Sequence, residues 1–302
     1  MNCIDSYIGK GYQLINGDTC EIITEIPDES IHFSVYSPPF ASLYTYSNSD
    51  RDLGNSKSYK QFFEHFHFIT TELFRILMPG RIMAVHCMNL PTSKEHDGYI
   101  GIRDFRGDLI REFESVGFTY HAEVTIWKDP VVAMQRTKAL GLLHKQIKKD
   151  SCRSRMGIPD YVIIMRKDGE NPEPVTHTNE TFPVTEWQQL ASPIWEYEFS
   201  PMWWDIKQSD TLNVKMARDG RDERHICPLQ LPVIDRLLKM YTNENDIVFT
   251  PFMGIGSEVY QAVKNGRRGI GIELKETYYK CAVDNLEMLE MENAQMSLFD
   301  FI

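Results

Sequence analysis

Two short stretches of the chain hold residue types that can act on a ligand. Ser37-Pro38-Pro39-Phe40 follows the apolar run Ile31–Tyr36, which reads as a buried strand. Two prolines fix the backbone where such a strand meets the ligand-binding edge of a sheet. The Ser37 hydroxyl, the Pro38 carbonyl and the Phe40 ring then suit a flat ring bearing an NH2 group, with two acceptors for its hydrogens and a face to stack on. Taken alone, the tetrapeptide is better read as a proline loop with a core phenylalanine. The second stretch, Thr250-Pro251-Phe252-Met253-Gly254-Ile255-Gly256, lies between a strand and a helix, where glycines let the backbone approach a ligand closely. The following strand ends in Glu273, whose carboxylate is placed to accept hydrogen bonds from both ribose hydroxyls of a nucleoside cofactor. A lone GxG would be a plain tight turn; joined to strand, helix, second strand and terminal acid it points to adenosine binding.

Such loops need strands to carry them, and the pattern supplies strands and helices in alternation. Tyr59–Leu77 has helical apolar spacing and is closed by Met78-Pro79-Gly80; Arg81–Cys87 reads as a strand. A helix at Asp104–Val116 is closed by Gly117, and strands are predicted at Thr119–Trp127 and Tyr161–Arg166. Prolines and tryptophans then break the pattern up to about Arg224. Alternation resumes with a helix near Leu231–Tyr241, a strand Asp246–Thr250, a helix near Glu258–Asn265, a strand Arg268–Glu273 and a helix Thr277–Met291. The fold predicted is α/β: a Rossmann-like, mostly parallel sheet with helices on both faces and an inserted Pro/Trp-rich region. The divisions are 1–168, 169–224, 225–291 and a C-terminal tail, 292–302.

Composition narrows the function. The chain has 302 residues, 42% of them apolar and 25% charged, which is ordinary for a globular protein. No apolar run is long enough to span a membrane, and the first ten residues lack the apolar segment of a secretory signal. The six cysteines are scattered without a CxxC pair, so a zinc ribbon or thioredoxin-like site has no support, and buried, reduced thiols in the cytoplasm are expected. A net charge of −11 argues against a protein that coats nucleic acid non-specifically. Against that background one stretch is basic: Arg136, Lys138, Lys145, Lys148, Lys149, Arg153 and Arg155, with Asp150 as its sole acid. On composition alone it is a solvated helix face.

Together the two motifs resemble those of the DNA amino-methyltransferases, with their [D/N/S]PP[Y/F] catalytic and DPFxGxG-like cofactor motifs. Having the catalytic motif first in the chain resembles the permuted, beta class. Asn16-Gly17-Asp18 is similar to the family's early G-D element, the run Glu72–Arg81 to its helix end before a Pro-Gly turn, and His225–Pro232 to the stretch before the cofactor strand. The departures are Thr250 for the usual Asp, Ser257-Glu258 for Thr-Thr, and Ile226-Cys227 inserted between His225 and Pro228.

The resemblance implies methyl transfer from S-adenosylmethionine, without a metal, to the exocyclic amino group of a base flipped out of DNA. Ser37, Pro38, Pro39 and Phe40 would be catalytic; Asp18, Thr250, Pro251, Phe252, Gly254, Gly256 and Glu273 would bind the cofactor. The basic stretch becomes a DNA-contacting loop, and 169–224 a target-recognition region. A serine heading the catalytic motif favours cytosine-N4, with adenine-N6 as the alternative. Methylation of RNA or a protein amide, and an inactive DNA- or clamp-binding module, are the competing readings. Gln295, Leu298 and Phe299 resemble the bacterial sliding-clamp-binding pentapeptide, at a free end past the last helix. Self-association and pairing with a nuclease are left open.

Overall fold

The computed structural model describes residues 3–40, 53, 56, 58–92, 94–128, 143–191, 210–213 and 228–299. The strands are β1 (Cys3–Gly9), β2 (Tyr12–Gly17), β3 (Ile31–Tyr36), β4 (Leu77–Met88), β5 (Leu90–Thr92), β6 (Gly101–Arg103), β7 (Phe118–Ile126), β8 (Asp160–Lys167), β9 (Ile247–Thr250) and β10 (Arg268–Glu273). The helices are α1 (Thr19–Ile22), α2 (Tyr59–Ile76), α3 (Lys94–Asp97), α4 (Phe105–Ser115), α5 (His144–Lys149), α6 (Val184–Ala191), α7 (Leu231–Tyr241), α8 (Ser257–Lys264) and α9 (Glu276–Phe299).

Eight strands form one sheet in the order β1-β2-β10-β9-β3-β4-β8-β7. The neighbours from β2 to β4 pair in parallel, whereas β1 and β8 run the other way. β3 lies beside β9, with Phe33 opposite Val248 and Ser34 opposite Phe249. Residues 1–168 and 225–291 therefore build a single sheet between them.

The inner strands alternate their side chains between two apolar faces, as the two-residue period of a strand requires. Met83, Val85 and Cys87 pack with Tyr36, Phe62, Phe66 and Phe105 under α2 and α4. Ile82 and Ala84 join Phe33, Val35, Val162 and Ile164 beneath Val233, Ile234 and Leu237 of α7 on the other face. Helices on both faces bury both sides of the sheet, which is why these strands read as continuous apolar runs rather than as alternating ones.

Three features depart from the sequence expectations. The β1–β2 hairpin was not foreseen, nor was the small β5–β6 pair. The last helix does not stop near Met291 but continues to Phe299. Gln295, Leu298 and Phe299 thus lie in its final turns and not in a tail beyond it; no glycine or proline follows Thr277 to end the helix earlier. Finally, the described cysteines are free, as expected, but Cys87 and Cys281 alone among them are buried and Cys152 is exposed. Among the described residues no helix is long and apolar enough to cross a membrane.

Candidate active site

Both motifs emerge at the carboxyl edge of the sheet, where open α/β sheets bind ligands. β3 delivers Ser37–Phe40 and its neighbour β9 delivers Pro251–Gly256, so residues more than 200 positions apart come to adjacent strand ends. β10, next to β9, brings Glu273, and β2, next to β10, brings Asp18.

The glycine loop is shaped by hydrogen bonds to the strands beside it. The Met253 amide donates to the Ile272 carbonyl at 2.9 Å. Gly254 donates its amide to Glu273 Oε2 at 2.8 Å, and Lys275 donates its amide to Oε1 at 2.9 Å. The Glu273 carboxylate is thereby fixed in orientation, and because a carboxylate offers about four acceptor sites, the same oxygens can also take hydroxyl donors. Gly254 has φ +55° and faces open space within 4 Å of where a Cβ would stand. Gly256 has φ +90°, and a Cβ there would stand 3.1 Å from that of Ala282. The first glycine leaves room at the edge of the sheet and the second lets α8 start against α9.

Several residues outside the predicted site hold this arrangement. Thr19 donates its hydroxyl to the Pro251 carbonyl at 2.6 Å, and Asn16 donates its side-chain amide to the Glu273 carbonyl at 2.8 Å. Asp18, which was expected, caps α1 by accepting the Cys20 amide at 2.9 Å. Asn285 donates to the Ile255 carbonyl at 3.0 Å. The Asn-Gly-Asp element was the signal at hand for Asn16 and Thr19, but only the strand pairing shows what they reach.

Buried polar atoms without protein partners cluster here: Asn16 Oδ1, Thr250 Oγ1 and Ser257 Oγ. Such atoms are expected where a polar ligand completes the site. Glu258, in the first turn of α8, is almost wholly buried. Burial, reinforced by the charge of Glu273, pushes its carboxyl up to about 8.

At Ser37-Pro38-Pro39-Phe40, Ser37 Oγ lies 3.1 Å from His86 Nδ1 and 3.3 Å from the His86 carbonyl oxygen. His86 Nε2 is 3.2 Å from Asp160 Oδ2, and Lys128 Nζ is 2.6 Å from Asp160 Oδ1. Neither of the last two contacts has the alignment of a full hydrogen bond, so both are chiefly electrostatic. Burial alone would raise the Asp160 carboxyl, yet His86 and Lys128 outweigh it and hold the group below the usual carboxylate range. A histidine within the apolar run Arg81–Cys87 was the one sequence sign of this chain of contacts.

Phe40 departs from expectation. Its ring is only 9% exposed and packs edge-on against Phe105 at a centroid distance of 6.3 Å, so it is part of the aromatic core rather than an open stacking face. Phe252 lies near Tyr36 and Phe66, at 5.7 and 6.4 Å.

The basic stretch leaves the same edge, since β7 ends and β8 begins opposite Met88, the last residue of β4. Lys145, Lys148 and Lys149 are exposed on α5, and exposed Arg153 pairs with Asp150 at 3.1 Å. Arg155 is partly buried and donates to the Met156 carbonyl. Arg136 and Lys138 lie outside the described residues. A cluster with metal-ligand chemistry, His32, Glu173 and Asp246, sits at the opposite edge. There the Ile247 amide donates to His32 Nδ1 and Arg81 pairs with Asp246, which accounts for these groups as an ion-paired lock between strands.

Similarities to known proteins agree with this geometry. The chain is 22% identical over 296 residues to the type II methyltransferase M.MjaI of Methanocaldococcus jannaschii, covering 89% of each. It is 21% identical to M.BamHI of Bacillus amyloliquefaciens, covering 87% of this chain but 54% of that longer protein. The fold matches PvuII DNA methyltransferase (cytosine-N4-specific) with a TM-score of 0.64 at 17% identity, over 94% of this chain and 90% of that one. A protein of Thermus thermophilus, solved as a complex with S-adenosyl-L-methionine, matches with a TM-score of 0.63 at 21% identity, over 90% and 93%. At such identities these structures speak for the fold alone. A family model described as DNA methylase, of the N6/N4 methyltransferases, matches residues 31–284 and so takes in both motifs and the strands β3 and β9 that carry them; the chain belongs to this family.

Proposed function

We propose that the protein moves a methyl group from S-adenosylmethionine to the exocyclic amino group of a flipped base in DNA, with cytosine-N4 as the target. The observation that carries this is the pairing of β3 with β9, which sets Ser37-Pro38-Pro39-Phe40 beside the Gly254–Gly256 loop. The unpaired polar atoms of Asn16, Thr250 and Ser257, the open space at Gly254 and the fixed Glu273 carboxylate fit a nucleoside cofactor. When bound, S-adenosylmethionine supplies an electrophilic methyl group on a sulfonium.

The chain's own residues then position the partners, which is most of the catalysis in an in-line displacement. Glu273 would hold the ribose hydroxyls, and Asp18 would reach the adenine. The Gly254–Gly256 loop would hold the cofactor through its backbone. Ser37 Oγ and the Pro38 carbonyl accept the two amino hydrogens, which turns the nitrogen lone pair out of the ring and towards the methyl group. Pro39 stiffens this turn, and Phe40 backs it from the core. Lys145, Lys148, Lys149 and Arg153 face the phosphates, and 169–224 reads the target sequence. The serine at the head of the motif favours cytosine over adenine. Likeness to type II methyltransferases suggests service in restriction–modification, within the cytoplasm.

The test uses purified protein, S-adenosylmethionine labelled in its methyl group, and unmethylated DNA. Label should enter cytosine. Ser37→Ala should lose most of the transfer while its cofactor affinity, read by calorimetry, stays at the wild-type level. Full transfer by Ser37→Ala would remove the motif from the chemistry; label in adenine would move the target to N6.

A further inference from the structure

A serine hydroxyl can accept a hydrogen bond from an amino group, but it is too weak a base to keep the proton that methylation releases. Once the amino nitrogen has bonded to the methyl carbon it is cationic and must lose a proton. The structure puts an imidazole directly behind Ser37, with His86 Nδ1 at 3.1 Å from Oγ. The Asp160 carboxylate, 3.2 Å from Nε2, favours a proton on that nitrogen, which makes Nδ1 the acceptor. Lys128, at 2.6 Å, holds the other oxygen of Asp160.

We infer that His86 takes up the proton released by methylation, through Ser37, and that Asp160 and Lys128 position it for this. This rests on Ser37 being the amino-group acceptor, as proposed above. The step balances as a double transfer. The N–H bond of the methylated amino group breaks and its electron pair returns to nitrogen, while its proton joins Ser37 Oγ. The original Ser37 proton passes to His86 Nδ1, whose lone pair forms the new N–H bond. The resulting imidazolium lies beside the Asp160 carboxylate, and serine is restored.

Among the described residues, the charged group that meets His86 is Asp160 at the start of β8, and Lys128, just after β7, meets Asp160. His86 is a positioning residue in the sense that it acts through Ser37 and does not touch the base. It differs from a merely structural histidine in one respect: a structural role leaves no mark on the pH dependence of the chemical step.

The experiment is the single-turnover rate of methyl transfer to unmethylated phage DNA, measured across about pH 5 to 8. Wild-type protein should slow toward the acid end, because an imidazolium cannot take up a proton. His86→Asn keeps a polar atom near the Nδ1 position but cannot take the proton. It should be slower by about a hundredfold or more, lack the acid limb, and bind S-adenosylmethionine and DNA within about twofold of wild type. A wild-type rate that is flat across this range would overturn the inference without any variant, so a failure of His86→Asn to fold does not rescue it. A His86→Asn protein with the wild-type rate and acid limb, alongside a slow Ser37→Ala, would overturn it while leaving the role of Ser37 standing. A fast Ser37→Ala, or no transfer by wild type, would overturn the function proposed above and this inference with it.

Discussion

Both oxygens of Glu273 hold backbone amides, of Gly254 and Lys275, so the carboxylate is oriented before any ligand arrives. Glu273→Ala removes a charge-assisted acceptor of ribose hydroxyls, an interaction of ~1.5–3 kcal/mol. Cofactor affinity measured by calorimetry should therefore fall by roughly ten- to a hundredfold, and wild-type affinity would remove Glu273 from the site. Glu258 gives a different signature. Its carboxyl is held up to about 8 in the folded chain, against 4.5 for an ordinary glutamate. Between those values the unfolded chain has released the proton that the folded chain keeps, so the folded state loses relative stability as pH rises through this window. Glu258→Gln should flatten that decline in urea unfolding curves and leave the variant more stable at pH 8, by an amount on the order of a few kcal/mol. An unchanged pH dependence would mean that the group titrates normally. That Glu273 ends a strand and Ser37 directly follows one was legible because motif and strand end coincide in sequence. Phe40 was misjudged because a tetrapeptide does not say which way its ring turns, and here α4 supplies Phe105 to cover it.

At the level of elements, the sequence placed β3, α2, α4, α7, β9 and β10 within a residue or two, because capping residues and apolar periods agree there. Asp104 caps α4, and Gly117 takes φ +113° just past its end. The β1–β2 hairpin escaped notice for a physical reason: β1 is an edge strand with its side chains mostly in water, so it carries no apolar pattern. It is held from outside instead, by Tyr7 donating to Glu287 and the Lys10 amide to Glu290 of α9. Those acids thus tie α9 to the hairpin. Thr19 connects this hairpin side to the glycine loop through the Pro251 carbonyl. Thr19→Val leaves that carbonyl buried without its donor, at a cost of about 1–3 kcal/mol. Thermal unfolding should shift down accordingly; an unchanged midpoint would show that the bond contributes nothing net. Clamp attachment through Gln295, Leu298 and Phe299 remains a proposal, and it now has to be made from the end of a helix. A clamp should bind a 293–302 peptide more weakly once Leu298 and Phe299 are replaced by alanine.

Across the whole molecule, residues 1–168 and 225–291 contribute strands to one sheet, and the contact of β3 with β9 brings Ser37–Phe40 and Pro251–Gly256 to adjacent strand ends. The alternation of strands and helices in the sequence foretold a shared sheet but not the contacts behind Ser37, which need β4, β7 and β8 side by side. The net charge of −11 makes the exposed cations near the carboxyl edge all the more distinctive. Replacing Lys145, Lys148, Lys149 and Arg153 together by alanine should weaken DNA binding and reduce the slope of log affinity against log salt by roughly one for each phosphate no longer neutralised. An unaltered salt dependence would return this stretch to a solvated helix face. The central claim, amino methylation of DNA, meets its most direct test in the nucleosides of DNA from cells that express the protein, digested and analysed by mass spectrometry. N4-methylcytosine should be present with the wild-type chain and absent with Ser37→Ala; DNA carrying no methylated amino group in wild-type cells would contradict the account.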